Sequence, residues 1–95
     1  MLHIVNKSPE HTNAFASCLR LAQPGSALLL IEDGVYAATR PSAMAEATQS
    51  LKVYVLQPDL DARGMAGRRV DGVTPVDYPG FVDLVAEHSN NQSWL

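Results

Sequence analysis

Apolar residues fall along this chain in short, nearly unbroken runs: Leu2–Val5, Ala27–Ile31 and Val53–Leu56. Runs of this length with no polar face suit strands buried on both sides, as happens when helices cover both faces of a sheet. A weaker run, Gly72–Val76, sets Val73 and Val76 around Thr74-Pro75. Pro75 cannot donate to a ladder, so this segment is expected at a sheet edge or a strand end.

Helical signals alternate with these runs. Ser8-Pro9-Glu10 supplies an N-cap hydroxyl, a proline at the first helical position and an acid in the first turn. Phe15, Cys18, Leu19 and Ala22 follow at helical spacing, and Pro24-Gly25 ends the element. Ser42 opens a second helix carrying Ala43, Met44, Ala45 and Ala47, with an earlier helical turn from Asp33-Gly34 to Ala38. The segment Pro58–Gly64 is a compact third helix, its acids early, Arg63 late and Gly64 just past the end, as the helix dipole and C-cap preferences dictate. Pro79 opens a fourth with Phe81, Leu84, Val85 and His88 along one face. Asn90-Asn91-Gln92 breaks that pattern before a short apolar end, Ser93-Trp94-Leu95, which leaves room for a final short strand.

The order β-α-β-α-β-α-β-α predicts an α/β fold. The expectation is a single Rossmann-like domain over residues 1–95, with a mostly parallel sheet of four to five strands flanked by helices and joined by right-handed crossovers. A chain of this size hides roughly 60–65% of its unfolded surface, so burial in an oligomer would add to its stability.

Composition narrows the function. The chain is 46% hydrophobic with a net charge of −3, and Arg68-Arg69 is its one adjacent basic pair. That scatter excludes the electrostatic footprint of direct nucleic-acid binding. The apolar runs are far too short to span a bilayer, and the first residues read as a strand rather than a signal peptide, so the cytoplasm is the expected compartment. The single cysteine, Cys18, excludes an intrachain disulfide and a cysteine-based zinc cluster.

Ligands in open α/β sheets bind beyond the carboxyl ends of the strands. After the first strand comes Asn6-Lys7-Ser8-Pro9, without the glycines a dinucleotide site needs, and no Walker lysine motif occurs elsewhere. No cofactor is expected. Glu32-Asp33-Gly34 sets two carboxylates at the second strand end, but Gln57-Pro58 after the third strand breaks a receiver-like pattern. Asp33 reads instead as a turn or cap residue, with Gly34 taking an awkward dihedral. His3, His11 and His88 show no metal-ligand spacing, and His3 is expected as a hydrogen-bonded, partly buried imidazole. Cys18 is the one residue with nucleophilic potential, and thiol chemistry needs an accessible group of lowered pKa. It sits mid-helix on the apolar stripe, remote from the helix N-terminus, with Arg20 turned about 200° away. A buried structural cysteine and a redox or carrier thiol both remain open for it.

Several motifs together resemble the TusB/DsrH family. They are Leu2-His3 with Asn6-Lys7-Ser8-Pro9, the run from Leu28 through Glu32-Asp33-Gly34 to Ala38, and Lys52–Leu56 with Pro58-Asp59-Leu60 and Ala62-Arg63-Gly64. Asp77-Tyr78, Phe81–Leu84 and Trp94 complete a match that runs essentially end to end. The resemblance implies a heterohexamer built with TusC/DsrF-like and TusD/DsrE-like subunits, served by TusA-like and TusE/DsrC-like sulfur carriers. It also implies that the essential cysteine lies on the D or E subunit, in a loop after a central strand. The matching loop here, Gln57-Pro58-Asp59, has no cysteine. Cys18 falls where DsrH-like members carry one, which makes it a candidate auxiliary sulfur acceptor.

The leading expectation is therefore a non-catalytic subunit of a sulfurtransferase complex, serving 2-thiouridine synthesis at the tRNA wobble position. The alternative is a DsrH-type subunit in dissimilatory sulfur oxidation, with Cys18 as auxiliary persulfide acceptor; an isolated ligand-binding domain is a third reading. Tyr36, Tyr54, Phe81 and Trp94 are candidate interface anchors, because aromatics often dominate interfaces.

Overall fold

The structure is a computed structural model that describes residues 1–94. Five parallel strands form one sheet: β1 (Leu2–Val5), β2 (Ala27–Leu30), β3 (Lys52–Leu56), β4 (Thr74–Val76) and β5 (Asn91–Trp94), in the spatial order β4-β3-β2-β1-β5. The α/β architecture with a parallel sheet is as the alternation of patterns predicts, and the final short strand is real. β5 begins at Asn91, among residues that read as a break. Asn91, Gln92 and Ser93 are exposed, and β5 lies beside β1 with Val5 opposite Trp94. An edge strand held by backbone bonds needs no apolar pattern, so its polar residues concealed it. Leu95 lies outside the described residues.

The helices are α1 (Ala14–Leu21), α2 (Pro41–Ser50), α3 (Gln57–Ala62) and α4 (Tyr78–Glu87), with 3₁₀ segments at Glu32–Thr39 and Ala66–Arg68. The expected helix start at Ser8-Pro9 is corrected. Ser8–Thr12 makes one isolated turn, with the His11 and Thr12 amides donating to the Ser8 carbonyl, and α1 begins only at Ala14. Residues 9–13 carry no apolar stripe to bury, and a short helix is held by such a stripe rather than by its caps. Phe15 and Cys18 are the first pair at i,i+3 spacing that reaches the core. At α3 the reading holds: Gly64 follows the helix with φ +68°, the left-handed conformation a C-cap glycine supplies. At α4 the cap is Asp77, whose Oδ1 accepts from the Gly80 amide at 2.8 Å.

Strand alternation divides the core in two. Val5, Leu28, Leu30, Val53 and Val55 face α1, α2, α3 and the long 3₁₀ segment, packing with Cys18, Val35, Met44 and Leu60. Leu2, Ala27 and Leu29 face the other way, onto Leu84 of α4. Both faces are covered, but unequally, and the topology explains it. The chain steps outward from β1 to β4 and then returns across the sheet to the far side of β1. A right-handed crossover running in the reverse direction must place its helix on the opposite face. That leaves α4, ten residues and about 15 Å long, alone on a face five strands and roughly 19 Å wide.

Candidate functional site

Cys18 is fully buried on the inner face of α1. Burial pushes its thiol up to about 11. An attacking sulfur must be a thiolate, so in this chain alone Cys18 packs as a small hydrophobe.

The loop after β3 is closed rather than open. α3 starts directly at Gln57, and Asp59 Oδ2 accepts from the Glu32 amide at 2.6 Å. Arg63 donates from Nε to Asp33 Oδ1 at 3.0 Å and from Nη1 to the Asp59 carbonyl at 3.2 Å. These bonds tie the end of β2 to α3. Asp33 is a turn residue as expected, inside the turn closed by the Gly34 amide on the Ile31 carbonyl at 2.8 Å, whereas the reading of Gly34 is corrected. Asp33 caps no helix but pairs with Arg63. The left-handed dihedral belongs to Glu32, at φ +49°, while Gly34 is required for space. A Cβ on Gly34 would stand 2.2 Å from the Val5 carbonyl oxygen.

His3 is buried in β1 as expected, and Trp94 Nε1 donates to its Nδ1 at 3.1 Å. Desolvation, with a smaller contribution from the positive N-terminal amine, holds its pKa below the ordinary imidazole value. His88 Nδ1 lies 2.8 Å from the Leu84 carbonyl, and His11 is exposed. Among the described residues, no group of three or more His, Cys, Asp or Glu side chains is placed to hold a metal ion.

Beyond the ends of β1 and β2 lies a polar cleft of about 570 Å³. Its acids are engaged: Glu10 pairs with Arg40 and Asp33 with Arg63. The Arg40 hydrogen bond and charge hold the Glu10 carboxyl below the usual carboxylate range.

Among the described residues, three of the five exposed large apolar side chains lie on α4. Phe81 and Leu84 turn inward, but Tyr78 and Val82 are 57% and 65% exposed and Val85 36%. With Ala86 they line an open hollow of about 430 Å³ that is almost wholly apolar. Beside it Ile4, Ile31 and Tyr54 on the same sheet face are only partly buried. The four expected aromatic anchors do not converge. Tyr54 and Phe81 share this face, Trp94 packs against the opposite core, and Tyr36 lines the polar cleft. The exposed pair Tyr78 and Val82 escaped the pattern reading, although a signal was present: residues 78–86 contain a single charged side chain, Asp83, so the helix is apolar nearly all round.

No helix among the described residues is long and apolar enough to cross a membrane. The fold is similar to that of the ychN protein from Escherichia coli (TM-score 0.74, 17% identity, 97% of each chain covered). It is also similar to that of Tm0979 from Thermotoga maritima (TM-score 0.67, 24% identity, 95% of this chain and 97% of the other). In sequence the chain is 43% identical to Protein TusB of Escherichia coli O1:K1 / APEC over 96 aligned positions, covering 99% of this chain and all of the relative. Protein TusB of Shigella flexneri is 42% identical over the same span. A family model described as DsrH like protein matches residues 7–91. With its parallel sheet, its closed thiol-free loop after β3 and this end-to-end likeness, the chain belongs to the TusB/DsrH family.

Proposed function

We propose that this chain is a structural subunit of a cytoplasmic sulfur-relay complex, which passes persulfide sulfur toward 2-thiouridine at the tRNA wobble position. Its partners in this reading are TusC/DsrF-like and TusD/DsrE-like subunits in a heterohexamer, with TusA-like and TusE/DsrC-like carriers served by the assembly. The principal cysteine belongs to a partner. The single observation that supports this is the under-covered sheet face, where α4 exposes Tyr78 and Val82 beside half-buried Ile4, Ile31 and Tyr54. A large apolar patch rimmed by polar residues is what a subunit presents to its neighbours. Family membership supplies the kind of neighbour.

Co-expression with the two sister subunits, followed by size-exclusion chromatography, tests the reading. The wild-type chain should elute with both. Val82→Glu should leave the isolated fold within about 0.5 kcal/mol, because the position is exposed. In the complex it should weaken association about 30-fold or more, the equivalent of roughly 2 kcal/mol for a central contact. A complex indifferent to Val82→Glu, or a well-behaved monomer that ignores both partners, would sink the proposal. Loss of wobble 2-thiouridine on deletion separates the tRNA role from sulfur oxidation.

A second reading rests on Cys18 being the only thiol in the chain. In a DsrH-type oxidation complex Cys18 would accept persulfide once assembly brought it to the surface. Trapping persulfides on the sulfur-loaded complex and reading Cys18 by mass spectrometry decides it: an adduct supports the carrier role, and an unmodified Cys18 rejects it.

A further inference from the structure

The polar cleft beyond the ends of β1 and β2 is rich in donors that nothing in the chain uses. Ser8 is only 6% exposed, and its Oγ accepts from the Glu10 amide at 3.3 Å. Its hydroxyl proton has no acceptor among the described residues. A buried donor left unmatched is costly, and a bound acceptor removes that cost. Tyr36, His11 and Arg68 line the same cleft, and among the described residues none of their side chains makes a hydrogen bond or ion pair. The two carboxylates of the cleft each carry an ion pair. Glu10 is held by Arg40, Asp33 by Arg63, and the Thr39 hydroxyl donates to the Tyr36 carbonyl at 2.7 Å. Among the described residues, what remains unpaired is the Arg68 guanidinium with the Ser8, Tyr36 and His11 side chains, in a concavity placed where open α/β sheets bind ligands.

We propose that this cleft binds a small tetrahedral oxyanion, either free or as the phosphate of a nucleotide-sized ligand. Ser8 donates from the floor, Tyr36 from the wall and Arg68 from the rim. The arrangement uses no glycine-rich loop, which is why a search for phosphate motifs passes over it. The site lies apart from the apolar α4 face, so its failure leaves the subunit reading untouched, and loss of assembly in Val82→Glu leaves the cleft intact.

Amide chemical shifts of the full chain, followed during a titration with inorganic phosphate at constant ionic strength, test it. Saturating shifts confined to Ser8, Tyr36, Arg68 and their neighbours are expected, with Kd about 1 mM as suits a few charge-assisted bonds in an open cleft. Arg68→Gln, an exposed position that the fold does not need, should weaken binding about tenfold, and Ser8→Ala should weaken it as well. A parallel titration with AMP distinguishes the sources. Tighter binding than phosphate assigns a phosphoester whose organic part lies along Tyr36 and Met65, and equal or weaker binding assigns the free oxyanion. Shifts that drift linearly without saturating in both titrations overturn the proposal. So does saturable binding that is unchanged in Arg68→Gln and Ser8→Ala.

Discussion

Gly34→Ala is the sharpest test of how β1 and the 3₁₀ segment fit together. The backbone at Gly34 is not in the left-handed region, so an alanine meets no dihedral penalty there. The obstacle is contact. The new methyl would lie 2.2 Å from the Val5 carbonyl oxygen and 2.9 Å from its carbon, where carbon and oxygen normally approach no closer than about 3.3 Å. Roughly 1 Å of backbone separation is needed. The atom in the way also accepts the Ile31 amide at 3.1 Å, so the displacement strains a bond at the end of the β1–β2 ladder. Overpacking costs about 1–3 kcal/mol and a weakened buried hydrogen bond about 1 kcal/mol more. Against this, alanine restricts the unfolded chain and returns about 0.4–1 kcal/mol. The net expectation is a loss of about 2–3 kcal/mol. In urea, with a slope of about 1–1.5 kcal/mol/M, the unfolding midpoint should fall by about 2 M at fixed protein concentration. Gly67→Ala is the control. Its Cβ would meet nothing within 4 Å and its φ is unremarkable, so it should be neutral or stabilising by up to about 1 kcal/mol. A Gly34→Ala midpoint within about 0.4 M of wild type, equivalent to about 0.5 kcal/mol, would refute the close-approach argument.

Two further outcomes follow from the same geometry. His3 has a folded pKa depressed below 6.5, so the folded state favours its neutral form. The stability this contributes is present above pH 6.5 and is lost as pH falls through the folded value, where protonated Nδ1 no longer accepts from Trp94. Urea midpoints measured from pH 7.5 downward should therefore fall below pH 6.5 in the wild type and less steeply in His3→Gln; equal slopes would remove His3 as the cause. At pH 8 a thiol at about 11 is about 0.1% thiolate against about 24% for a free cysteine, so alkylation of Cys18 in the native chain should be at least about 200-fold slower than in denaturant. Native labelling at the denatured rate would show that α1 opens readily.

The elements whose side chains are buried were legible in the chain. β2 reads as four consecutive buried residues, and Phe15 with Cys18 or Met44 with Ala47 mark the helix faces that reach the core. Burial writes itself into residue type, and its period gives the element. The thiol-free loop at Gln57-Pro58-Asp59 was legible for the same reason, since a missing cysteine is a matter of identity, not of position. β5 was obscure because an exposed edge strand is held by backbone bonds that any residue can make.

The candidate sites depend on neighbours distant in sequence. Gly34 matters because β1 passes beneath it, and Ser8 because the segment from Asp33 to Arg40 walls in the same cleft. By itself, then, the sequence determined a parallel α/β fold, a family and the absence of a thiol in the loop after the third strand. Only the tertiary structure decided that the return to β5 leaves α4 alone on one face, and that Ser8, Tyr36 and Arg68 line one cleft. Local patterns record whether a residue is buried, whereas the direction of a crossover and the company a side chain keeps are set by contacts between segments far apart in the chain.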